Sequence, residues 1–123
     1  MTGMIVECCR CGSPLTIVLQ PVASGFEPDF PDGENVIPQG HFWTADKNQL
    51  DFIQGHVIVH LDDVRNMKHH PDARRHNGCC GEDGCDGPNR VCECGNAVGT
   101  AVSDCWTSFY FHFEPDMARL REV

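Results

Sequence analysis

Nine cysteines stand in 123 residues, and their spacing constrains the fold more than any other feature of the chain. Cys8-Cys9-Arg10-Cys11-Gly12 lies near the start and Cys92-Glu93-Cys94-Gly95 near the end, each followed by a strand-like run. An odd count and neighbouring pairs such as Cys8-Cys9 suit a disulfide framework poorly, since adjacent cysteines bridge only with strain. Met1 to Val6 lacks the basic and long apolar regions of a leader, and no later stretch reaches the length of a membrane span. The expected compartment is therefore the cytoplasm, where thiols stay reduced and clustered cysteines hold metal.

Zinc takes four sulfur or nitrogen ligands in a tetrahedron, and a glycine after the second cysteine of a tight turn leaves backbone N–H groups free to face the thiolates. The two short motifs read as the halves of one site, Cys8 and Cys11 with Cys92 and Cys94. Cys9 stands as an alternative to Cys8. A second zinc is expected from Cys79, Cys80, Cys85 and Cys105, with His76 or His70 as alternative ligands. Cys105 is open to two other readings, a buried core thiol or a nucleophile. Glu82 to Asn89 carries oxygen ligands at short spacing but lacks the closing Glu of a calcium loop, and reads as Asp-Gly turn chemistry.

The rest of the chain reads as one domain over 1–123, mainly β with short helices, in two hairpins or small sheets pinned by the knuckles. Knuckle one covers 8–20, a Cys/Gly-rich metal-held loop 69–90, and knuckle two with the final strand 91–114. Leu15 to Gln20 is a β-branched apolar run stopped by Pro21. Residues 23–40 form a long loop pinned by Phe26 and Phe30. His56 to Leu61 and Thr107 to Phe113 alternate with the period of strands. Asp62 is placed to cap a short helix reaching Lys68, and Asp116 to Glu122 to form one or two helical turns. His56, His60, His69 and His70 read as solvated surface residues. Asn77 to Asn89 has almost no apolar residue, so burial cannot fold it and bound metal is the expected support.

A formal charge of −9 and a pI near 5.0 disfavour nucleic acid and anionic lipid as partners. A protein or small molecule remains as the partner. Trp43, Trp106 and Tyr110 are the aromatic residues available to line a ligand pocket, against the alternative that they only fill the core.

Cys8 to Leu19 and Cys92 to Phe113, above all Cys92-Glu93-Cys94-Gly95-Asn96-Ala97-Val98-Gly99-Thr100, resemble the knuckles of β-tent zinc domains, with a zinc ribbon as the other architecture sharing paired knuckles. That group includes the Yippee-like proteins, the thalidomide-binding domain of cereblon and methionine sulfoxide reductase type B. The resemblance covers about a third of the chain. It implies a structural zinc and either a binding module or, by the third relative, a thiol-dependent oxidoreductase using Cys105 with His41 or His112 as the cationic neighbour. The second knuckle departs from the group by its C-x-C spacing, Thr107 stands where that enzyme has Asn, and His69 to Asn89 is an insertion. A structural role with a binding or protein-interaction function is the first expectation, and catalysis the second.

Overall fold

In the computed structural model, residues 3–45, 53 and 55–123 are described. Met1 and Thr2, part of the segment read above for a leader, lie outside them. The chain is mainly β, as its alternating apolar runs require. Strands β1 (Met4–Cys8) and β9 (Ala118–Glu122) form a two-stranded antiparallel sheet. The other seven form one sheet: β2 (Gln20–Pro21), β3 (His41–Thr44), β4 (Val57–Val59), β5 (Met67–His69), β6 (Arg90–Cys92), β7 (Ala97–Val102) and β8 (Tyr110–Phe113). Their spatial order is β2-β3-β4-β8-β7-β6-β5, antiparallel except where β2 meets β3.

Alternation along β8 divides the interior in two, because successive side chains leave a strand on opposite faces. Phe111 and Phe113, with ring centroids 4.7 Å apart, pack with Val59 and Ala101 against Val6, Leu15, Leu19 and Ala118 from the chain's two ends. Tyr110 turns to the other face, joining Ile58 and Val102 beneath Val36, Ile37, Phe26 and Phe30. The long loop of residues 23–40 is thus a cover for the second face, and its two aromatics do pin it. Phe26 meets Trp43 at 6.4 Å, and Phe30 meets Tyr110 edge-on at 5.8 Å.

Three local expectations are corrected. The run Leu15 to Gln20 is extended but is a regular strand only at its end, since it returns along β1 through single bridges, Leu19 to Met4 and Pro14 to Glu7. The helix expected from Asp62 to Lys68 is a single 3-10 turn, Leu61–Asp63, followed by strand β5. His60, not Asp62, caps it by accepting the Asp62 N–H, while the buried Asp63 carboxylate accepts the Gly40 N–H at 2.7 Å. The helix expected within Asp116 to Glu122 is strand β9. Its alternation sends Ala118 inward and Arg119 and Arg121 together onto the buried Glu7 carboxylate of β1. Those two guanidiniums hold the Glu7 carboxyl below the usual carboxylate range against the opposing effect of burial.

His56 is also not a surface residue. It lies buried at the head of β4, with its Nδ1 2.9 Å from Nδ1 of the equally buried His112 on β8. Its Nε2 is 3.9 Å from Glu114. Burial lowers the pKa of both rings, His112 to about 3, so one neutral imidazole donates to the other.

Candidate metal centres

Cys8 ends β1 and Cys92 ends β6, and after each the chain reverses in a tight turn. The two turns close alike. At the first, the Gly12 N–H donates to the Cys8 carbonyl at 2.9 Å and the Cys8 N–H to the Ser13 carbonyl at 3.0 Å. At the second, the Gly95 N–H donates to the Cys92 carbonyl and the Cys92 N–H to the Asn96 carbonyl, both at 2.8 Å. Gly12 and Gly95 have φ of 75° and 94°, values that L side chains rarely adopt. A C-x-C turn therefore closes as a C-x-x-C turn does, one residue shorter.

The two turns bring Cys8, Cys11, Cys92 and Cys94 together, with every sulfur within 4.8 Å of the others. Cys8 and Cys94 are 3.7 Å apart and Cys11 and Cys92 are 3.5 Å apart. This group can hold a metal ion. Cys8 and Cys92 are fully buried, and Cys11 is exposed. Burial raises the Cys8 thiol, but donors from the Cys11 and Arg10 backbone and the Asn96 side chain outweigh it and bring it down to about 6. Cys11 is lowered as well, first by the Ser13 N–H and then by the Ser13 hydroxyl. Burial pushes the Cys92 thiol the other way, up to about 12. Cys9 stands outside the group, its N–H donating to the Met117 carbonyl at 2.9 Å.

Of the second expected set, the fold gathers Cys79, Cys80 and Cys105, all exposed, and this group too can hold a metal ion. Cys85 is not among them. Its N–H bonds the Asp83 carboxylate at 2.9 Å, and its Sγ lies 3.8 Å from the Asp83 carbonyl. Nor do the alternative histidines complete the group. His76 sets Nδ1 2.5 Å from Glu82 and Nε2 2.7 Å from the His70 carbonyl, which leaves neither nitrogen for a cation. That carbonyl and then Glu82 raise its pKa, as donation from both nitrogens requires. His70 itself uses Nδ1 to accept the Asp72 N–H.

The loop carrying these cysteines lacks a core, as its composition requires, yet polar clamps hold it. Asp104, fully buried, accepts the N–H groups of Cys79 and Cys80 at 2.9 Å each and of Cys105 at 2.7 Å. Those donors, the Cys80 N–H foremost, hold its carboxyl well below the usual range against burial. Glu82 takes both guanidinium arms of Arg90, at 2.6 and 2.8 Å, besides His76. Asn89, buried, pairs its side-chain amide with the backbone of Ala101 in both directions, at 2.8 and 2.9 Å. Gly81 runs so close to β7's end that a Cβ there would stand 2.4 Å from the Ser103 carbonyl oxygen. In the sequence Asp104 and Asn96 give no sign of these tasks, and Glu82 and Asn89 figure only as the ends of an Asp-Gly turn segment. Each is a lone polar residue whose task depends on a partner at least eight positions away.

The expected aromatic pocket is corrected in part. A cavity of about 480 Å³ is lined by Phe30, Cys85, Val102, Trp106 and Tyr110, with Trp106 56% exposed. Trp43 does not line it, because residue 43 faces Ile58 across β3 and β4 and packs on Phe26.

Comparison with known families, with curated proteins and with solved structures finds no match for this chain. Among the described residues, no helix is long and apolar enough to cross a membrane.

Proposed function

We propose that this chain is a zinc-stabilised β domain serving as a binding or protein-interaction module, similar in plan to the β-tent group. The observation that carries this is the spacing of the four knuckle sulfurs. A tetrahedron of thiolates with zinc–sulfur bonds of about 2.3 Å has edges of about 3.8 Å. The Cys8–Cys94 and Cys11–Cys92 pairs, at 3.7 and 3.5 Å, match that size, and the remaining pairs lie within 4.8 Å. Zinc at this point ties β1, through Cys8, to the β6–β7 turn of the larger sheet, linking the only two sheets among the described residues at one end. The ion holds residues in place, and the four positions leave none for a substrate.

The cavity beside Trp106 and Tyr110 supplies the binding face. Phe30, Val102, Trp106 and Tyr110 give it apolar walls, Asp83 adds one carboxylate, and Trp106 is largely exposed, features suited to an uncharged or cationic ligand with an apolar body. The oxidoreductase alternative has less support. The thiol of Cys105 is pushed up to about 12, by its bond with Cys80 first and by Asp104 besides, whereas a nucleophilic thiol needs a depressed value. His112 lies buried against His56, and His41 bonds the Gln39 carbonyl.

Metal analysis with chelator-driven unfolding tests the zinc reading. Purified chain should contain zinc and lose its near-ultraviolet circular dichroism when a strong chelator removes it. A chain that keeps its tertiary signal without metal would overturn the assignment.

A further inference from the structure

Four features of the Cys79, Cys80 and Cys105 cluster set it apart from a structural site. It has three sulfurs within mutual reach, and no fourth donor among the described residues joins them. Cys85 and His76, the nearest candidates in sequence, are turned to Asp83, Glu82 and the His70 carbonyl instead. All three cysteines are exposed, so an ion held among their sulfurs would be open to solvent. The backbone of each is already fixed by the one buried carboxylate of Asp104, so the three sulfurs are held together without needing an ion to assemble them.

From this arrangement we propose that Cys79, Cys80 and Cys105 form an exchangeable site for a thiophilic closed-shell cation bound by three thiolates with an open outer position. The inference rests on the reading of the knuckle cluster as the structural site, since it assigns the second ion a different task. Soft thiolates select monovalent copper and zinc. Monovalent copper accepts three sulfurs as a complete set, whereas zinc needs a fourth donor and would take it from a small molecule or partner reaching the open side. Binding replaces thiol protons with the cation and changes no oxidation state. The aromatic cavity begins at Trp106, the residue after Cys105, and Cys85 of the same loop forms part of its wall, so occupancy of the site and of the cavity act on one stretch of chain.

Cadmium, whose thiolate bonds absorb in the ultraviolet, is the probe. The full chain, kept reduced by a phosphine, is loaded with cadmium and then mixed with excess EDTA. Two equivalents should bind, one leaving at least roughly tenfold faster than the other. Cys105→Ser should bind only the slow equivalent and melt within about 2 °C of the parent. Cys85→Ser should match the parent in both. Adding monovalent copper, or zinc with and without a small thiol, then separates the two sources of the cation. Displacement of the fast cadmium by copper alone identifies copper, and zinc uptake that strengthens with added thiol identifies zinc with an exogenous ligand. A single equivalent in the parent, equal release of both ions, or loss of the second ion in Cys85→Ser would overturn the proposal. Failure of the knuckle reading would look different: Cys92→Ser would then remain folded and still bind two ions.

Discussion

The two cysteine clusters are built by opposite means. At the knuckles, two turns from the far ends of the sequence meet, two of the four cysteines are buried, and the Asn96 side chain bonds across from the second turn to Cys8 and Met117. At the second cluster, Cys79 and Cys80 of the loop of residues 77–89 and Cys105 beyond β7 are exposed, and the backbone beneath them is already tied by Asp104, with Glu82 and Asn89 holding the loop. On the proposed reading the first cluster depends on its ion for its structure, whereas hydrogen bonds to Asp104 already hold the backbone of the second. A metal thus contributes folding free energy where the protein leaves a joint open, and only occupancy where hydrogen bonds have closed it.

The largest effect that can break this contrast comes from Cys92→Ser. A structural thiolate site supplies on the order of 10 kcal/mol to folding. That equals the whole stability of an ordinary domain. The variant should lose its tertiary near-ultraviolet signal and the dispersion of its amide proton spectrum. A folded Cys92→Ser chain would make the two clusters alike.

Next in size is the pH response of the buried histidine pair, which lies away from both clusters. The folded chain keeps His112 neutral down to about pH 3 because burial, and secondarily His56, disfavour its charge. The unfolded chain takes up that proton near pH 6.5. Its stabilising effect is therefore complete above pH 6.5 and is lost as pH falls from there toward 3. Urea unfolding of zinc-loaded protein should show a midpoint that declines across this window, and His112→Gln should flatten the decline. An equal slope in both would assign the acid sensitivity to the metal sites instead.

A smaller and more local effect is expected from Asp104→Asn. Each of its carboxylate's three bonds loses its charge, and one oxygen becomes a donor facing N–H groups. Amide exchange at Cys79, Cys80 and Cys105 should accelerate by roughly tenfold or more while the knuckle amides stay as slow as before. Release of the fast ion should quicken by roughly tenfold, as for other residues that orient metal ligands. Parallel acceleration at Cys8 and Cys92 would show that the clusters are one cooperative unit.

The smallest change is expected from Cys9→Ser. Cys9 holds its place through its backbone bond to Met117, so its sulfur is dispensable and stability should stay within about 0.5 kcal/mol of the parent by urea unfolding.

Which parts were legible in advance follows the same division between local and distant causes. Cys8, Cys11, Cys92 and Cys94 could be named because each knuckle is a local signature, two cysteines and a glycine in one turn, and the strand through Phe111 and Phe113 because period-two alternation is local as well. Residues 116–122 were misread for want of a partner. Ala-Arg-Leu-Arg-Glu suits a helix by propensity, and only the neighbouring edge of β1, with Glu7 between Arg119 and Arg121, makes it a strand. His56 was misread for the same reason, since its alternation with Ile58 gives no sign that the loop of residues 23–40 returns to cover that face.

The sequence by itself therefore determined a β-rich chain and the two cysteine turns that together could hold a metal ion, because each strand and each turn is carried within a few neighbouring residues. Tertiary structure alone decided that Cys85 turns away from Cys79, Cys80 and Cys105, that Trp43 belongs to the core and Trp106 to the cavity, and that Asp104 anchors the loop. A side chain's bonding partner is whichever group the packed chain brings within about 3 Å, and that distance is fixed only when all the strands have found their register.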